Sequence, residues 1–160
     1  MNFQRIFIVA ITLILLGTIF AGAATALEPA AALPKADLSN VRAYAAAPSD
    51  GVPSYAVDAG TLYAGSTAGW SEVRTPDGVI VNAVAVDKLN PTTLYIGAAN
   101  ELALYRSADS GGSWERILLT TEYIGGVTDI AVDSMQRIVY VGTDTAGLFR
   151  LRDVGSGMIN

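Results

Sequence analysis

The chain contains neither cysteine nor histidine. Those absences remove Ser-His and Cys-His catalysis, most transition-metal sites and any disulfide framework for a small fold. A lipid anchor attached through cysteine is excluded as well. Charge is sparse: 10 basic and 15 acidic side chains, together 16% of residues, with no block of either sign. Phosphate binding needs a clustered positive face, so no nucleic-acid partner is expected. No Gly-x-x-x-x-Gly-Lys or Gly-x-Gly-x-x-Gly run is present to cradle phosphates. Asp109-x-Gly and Asp144-Thr145-Ala146-Gly147 lack the several spaced oxygen ligands that calcium takes. Neither a metal nor a cofactor is expected.

The N-terminus is Met1 to Arg5, then an apolar run from Ile6 to Phe20, then the small residues Ala21 to Ala26. A charged start, an apolar stretch and a small-x-small site are the parts of a secretory signal. Ala24-Thr25-Ala26 fits the cleavage site and places the mature start at Leu27. The stretch Ile6 to Ala26 is also long enough to span a bilayer, so a retained anchor facing outward is the alternative. No basic stop-transfer cluster follows it. Removing residues 1–26 takes away Arg5 and no acid. Nine basic then oppose 15 acidic side chains, a net charge of −6. Residues 27–45 are rich in Ala and Pro and read as an extended linker. The folded part is expected over 46–160, secreted or otherwise extracytoplasmic.

That part repeats itself. Ala56-Val57-Asp58, Ala85-Val86-Asp87 and Ala131-Val132-Asp133 are each followed by an apolar-Tyr-x-Gly run, at Leu62 to Gly65, Leu94 to Gly97 and Val139 to Gly142. A spacing of about 40–50 residues points to propellers or other arrays. The second and third units lie 46 residues apart and the first two only 29, which predicts a first unit short of a strand or more. Val84, Val86, Ile130 and Val132 share one strand face, with Ala85 and Ala131 on the other. Strands apolar on both faces are buried on both. Ten strands are predicted: 52–58, 61–66, 69–75, 80–87, 93–98, 102–107, 114–119, 126–133, 137–143 and 147–152. The fold class is therefore all-β, an incomplete β-propeller of about two and a half four-stranded antiparallel blades behind an N-terminal signal or anchor helix.

Between two of these strands lies Ser107-Ala108-Asp109-Ser110-Gly111-Gly112-Ser113-Trp114. It resembles the Asp-box, or bacterial neuraminidase repeat, Ser-x-Asp-x-Gly-x-Thr-Trp, with Ser113 keeping the hydroxyl of the Thr. The family includes sialidases, sortilin-type receptors, photosystem II assembly-factor propellers and exported bacterial proteins. In the family the box is a folding device. Ser107 and Asp109 are expected to bond backbone inside the turn, Gly111 or Gly112 to take a positive φ, and Trp114 to fill the gap between sheets. Farther along, Asp153 and Gly155 match Asp109 and Gly111 in a degenerate box where Met158 replaces the Trp. One step back stands Trp70, without the polar residues.

The resemblance implies sialidase activity only if three arginines, an acid/base and a tyrosine nucleophile converge. The seven arginines after residue 40 are spread through the repeats, and Arg106 and Arg150 recur at equivalent positions. No catalytic residue is assigned. The expected function is a non-enzymatic protein-binding or assembly scaffold. The alternative is a lectin-like carbohydrate-binding subunit with Trp70 or Tyr123 as a stacking platform; a fragment of a sialidase-like hydrolase is the remote one. Two and a half blades would leave sheet faces and edges open. Association of identical chains is expected to cover them, ahead of docking on another protein or continuation in a longer propeller.

Overall fold

The computed structural model describes residues 38–155, Ala36 and the backbone of a last strand, Met158–Ile159. The expected signal or anchor at 1–26 lies outside the described residues, as does most of the expected linker. Among the described residues there are twelve strands and no helix. They form three antiparallel four-stranded sheets, each a meander in chain order. The first holds β1 (Val41–Ala45), β2 (Ser54–Asp58), β3 (Thr61–Ser66) and β4 (Gly69–Glu72). The second holds β5 (Val81–Val86), β6 (Leu94–Ala98), β7 (Ala103–Ser107) and β8 (Glu115–Leu118). The third holds β9 (Val127–Asp133), β10 (Ile138–Thr143), β11 (Leu148–Asp153) and β12 (Met158–Ile159). β5 packs on both β1 and β9, so the first strands line one axis and the sheets stack around it as propeller blades.

Three blades stand where the repeat spacing predicts about two and a half. Two strands account for the difference. β1 falls inside the expected linker, so the first sheet begins five residues before the expected boundary at 46. β12 pairs Ile159 with Arg152 and Met158 with Asp153, supplying a fourth strand where none was expected. The first unit lacks no strand. Its Ala56-Val57-Asp58 ends the second strand of its sheet, whereas the later copies end the first strands of theirs. The 29-residue spacing is a one-strand offset.

Register supplies the true equivalences. Tyr55, Tyr95 and Tyr140 stand opposite Ala45, Ala85 and Ala131 on the first strands. On the third strands the same tyrosines face Ala64, Arg106 and Arg150. Each first strand also carries an irregularity after its opening valine, Val41, Val81 or Val127. The β2–β3 hairpin is a two-residue turn with positive φ at Ala59 and Gly60, the twist that suits tight antiparallel hairpins.

Alternation along the middle blade builds two cores. Leu94, Ile96, Ala103 and Tyr105 pack with Tyr55, Val57 and Leu62 of the first blade. Tyr95, Leu102 and Leu104 pack with Val127, Ile130, Val139 and Val141 of the third. β6 and β7 are therefore buried along their whole length. Val127 seats over Gly97, its Cβ 2.6 Å from where a Cβ on residue 97 would stand. Asn82 donates to the Val127 carbonyl at 2.8 Å, joining the second and third blades near the axis.

Candidate functional site

The turn after β7 is closed by its own side chains. Ser107 Oγ donates to Asp109 Oδ1 at 2.7 Å and accepts from the backbone N–H groups of Asp109 and Gly111. Asp109 Oδ1 accepts the Ser113 N–H at 2.8 Å, and Oδ2 accepts the Ser113 hydroxyl at 2.7 Å. Gly111, rather than Gly112, takes a positive φ of 95°, beside Ser110 at 60°. Trp114 Nε1 donates to the Arg74 carbonyl at 2.9 Å and its ring packs on the core between the first two blades. The turn thus fastens the second blade to the first.

Donation from Ser107 and then Ser113 holds the Asp109 carboxyl down at about 2. A depressed folded value contributes stability above the ordinary carboxylate pKa of about 4, and that contribution is lost as pH falls toward about 2. Removing a donor should undo part of the depression. In Ser113→Ala, the Asp109 carboxyl carbon is expected to titrate measurably higher by NMR than in the unaltered chain; an unmoved midpoint would show that the hydroxyl is not engaged.

The matching position on the third blade does something different. Asp153 ends β11, is 5% exposed, and points at the second blade. Its Oδ2 accepts Arg106 Nε at 2.8 Å and the Tyr95 hydroxyl at 2.5 Å. Its Oδ1 accepts the Gly155 N–H at 2.6 Å, with Gly155 at φ 92°, and a longer contact from half-exposed Arg137 at 3.5 Å. Burial pushes the Asp153 carboxyl up, and the bonds from Tyr95 and Arg106 outweigh it and hold it down. The same burial, with Asp153 beside it, pushes the Tyr95 phenol up. The sequence placed Asp153 and Gly155 in a degenerate box and Arg106 in a repeat with Arg150, but it carried no signal that these residues and Tyr95 join two blades.

A third ionic group lies at the rim of the second blade. Glu101 accepts from Arg116 at 2.5 Å and from the Tyr105 hydroxyl, and donation from Arg116 holds its carboxyl down. Trp70 and Tyr123 line separate hollows. Trp70 lies over Gly65 on the free face of the first blade, edge-on to Tyr44 with centroids 6.5 Å apart and planes at 69°. Ser54, Asp50 and Thr67 share that hollow. Tyr123 is exposed in the loop between β8 and β9, beside Arg116 and Leu118. Among the described residues no group of three or more acidic side chains is gathered as a metal site would need.

No family model matches the chain, and no curated protein is significantly similar to it in sequence. Solved structures do match. YCF48 bound to D1 peptide superposes with a TM-score of 0.59 at 17% identity, over 79% of this chain and 41% of that one. The GH74 enzyme of Niastella koreensis gives 0.55 at 20% identity, over 75% of this chain and 22% of that one. The GH74 xyloglucanase of Xanthomonas campestris gives 0.55 at 15% identity, over 76% and 23%. The chain spans less than half the length of each. At these identities the likeness bears on fold alone, and this chain is a set of β-propeller blades.

Proposed function

We propose that the chain is a non-enzymatic, exported module that binds protein through the free faces of its first and third blades. One observation carries this. The third blade presents outward the same register positions that the second blade buries against its neighbour: Leu148 is 70% exposed where Leu104 is 0%. Exposed apolar surface of that kind marks interaction sites. The apolar N-terminal run supports export. The self-closed turn at Ser107–Trp114 supports its assignment as an Asp-box with a folding role. Glu101, Asp109 and Asp153 are each engaged by donors within the fold, which leaves them poorly placed as acid, base or nucleophile. The likeness to YCF48 bound to D1 peptide supports the reading.

A photo-crosslinking residue at Leu148 in the exported protein is expected to yield a protein adduct, and one at exposed Asp77 none. Absence of any adduct at position 148 would overturn the proposal. The Tyr44–Trp70 pair beside Ser54, Asp50 and Thr67 favours a second reading, a lectin-like sugar subsite. On a glycan array the unaltered chain is expected to show no retention that Trp70→Ala removes. It is also expected to release nothing from chromogenic sialosides or glucans. A Trp70-dependent signal, or turnover, would establish carbohydrate binding or hydrolysis instead.

A further inference from the structure

The two free faces of this structure are copies of faces that are already paired within it. On the third blade, Tyr140, Gly142, Leu148 and Arg150 occupy the positions of Tyr95, Gly97, Leu104 and Arg106. On the second blade that set receives Val127 over Gly97 and Asp153 on Tyr95 and Arg106. On the third blade Gly142 has no heavy atom nearer than 3.4 Å to a built Cβ, so the same notch stands open. Arg150 has no ion-pair partner among the described residues.

The first blade carries the opposite surface. Val41, Tyr44, Tyr63 and Trp70 stand where Val81, Val84, Tyr105 and Trp114 stand on the second blade, the face that grips its predecessor. Val41 is also the register equivalent of Val127. It is 48% exposed where Val127 is 0%. A valine without a notch and a notch without a valine thus lie at opposite ends of one stack. At the outer corner the pattern departs from the internal one. Thr67 holds the place of Asp153, and Asp50 lines the same hollow, so Tyr140 and Arg150 would meet a hydroxyl and a neighbouring carboxylate.

Resting on the reading of these faces as protein-binding, we propose that their occupant is a second copy of this chain, docked head to tail with Val41 of each copy over Gly142 of the other. Such a contact is heterologous and closes if the rotation fits. With the three described blades in each copy, two copies give six, within the range of known propellers of about four to eight.

Native absence of cysteine makes the test clean. The exported protein is expected to sediment as a dimer, and Gly142→Leu as a monomer with an unchanged circular dichroism spectrum. Val41→Cys mixed with Gly142→Cys and oxidised should form several-fold more covalent dimer than Asp77→Cys mixed with Gly142→Cys, since disulfides demand close Cβ atoms. A monomeric native protein, or equal crosslinking in both mixtures, overturns self-assembly. If position 148 then still captures a different protein, the protein-binding proposal survives alone; if it captures nothing, both fall.

Discussion

Replacing Arg106 with leucine is expected to destabilise the fold by about 3–5 kcal/mol, the usual cost of removing one partner from a buried ion pair. Arg106 and Asp153 side chains are 9% and 6% exposed, so little water is at hand to replace the lost guanidinium. Tyr95 and the Gly155 N–H still donate to the carboxylate, and Arg137 reaches it only at 3.5 Å from a half-exposed position. The sign of the pH dependence follows. With Arg106 present the Asp153 carboxyl is held down, which adds stability above the ordinary carboxylate range and is lost as pH falls. Without it less donation opposes burial and the folded value rises, so the two proteins draw together as the acid protonates. Urea denaturation should therefore show the largest gap at neutral pH and a narrowing one toward about pH 4. Arg106→Leu combined with Asp153→Asn should regain part of the loss, since the amide leaves no buried charge and its oxygen can still accept from Tyr95. A gap that is flat with pH would mean that Asp153 is not the group being stranded.

Gly97→Ala is the second large effect, at about 1–3 kcal/mol, from overpacking. The residue is not at positive φ, so alanine suits its backbone and the cost is steric alone. Its Cβ would meet Val127, a fully buried side chain that has no room to yield. Val127→Ala in the same chain should relieve the clash, so the double variant should be more stable than the sum of the singles predicts. Gly142→Ala is the internal control. It changes the same register position on the free face, where the nearest atom is 3.4 Å away. At concentrations that keep the chain monomeric it should leave the melting temperature nearly unchanged. Equal losses at 97 and 142 would show that the close approach of Val127 does not set the cost.

The second and third blades were legible in the sequence because their strands obey strong rules. Leu94 to Ala98 is buried on both faces and therefore apolar at every position, and the strands predicted at 93–98 and 137–143 match β6 and β10 to within a residue. The first blade was misread for the same physical reason in reverse. Val41-Arg42-Ala43-Tyr44-Ala45 presents Ala43 and Ala45 to the core and leaves Val41, Arg42 and Tyr44 exposed. A strand with so little bulk on its buried face resembles the Ala-rich linker before it. Ala-Val-Asp suits the exit of any strand into a turn, so matching it aligned a second strand with two first strands. The Ser107–Trp114 turn was readable because the bonds that close it, among Ser107, Asp109, Gly111 and Ser113, are local. The Arg106–Asp153–Tyr95 link was not, because it joins residues 47 and 58 positions apart across two sheets.

Because every strand pairs only within its own meander, the blades form a one-dimensional stack in which each touches only its nearest neighbours. The middle member has a coupling term on each side and the flanking members have one. Cohesion among the described blades of a single copy is consequently uneven by construction, greatest in the middle blade and least in the two outer ones.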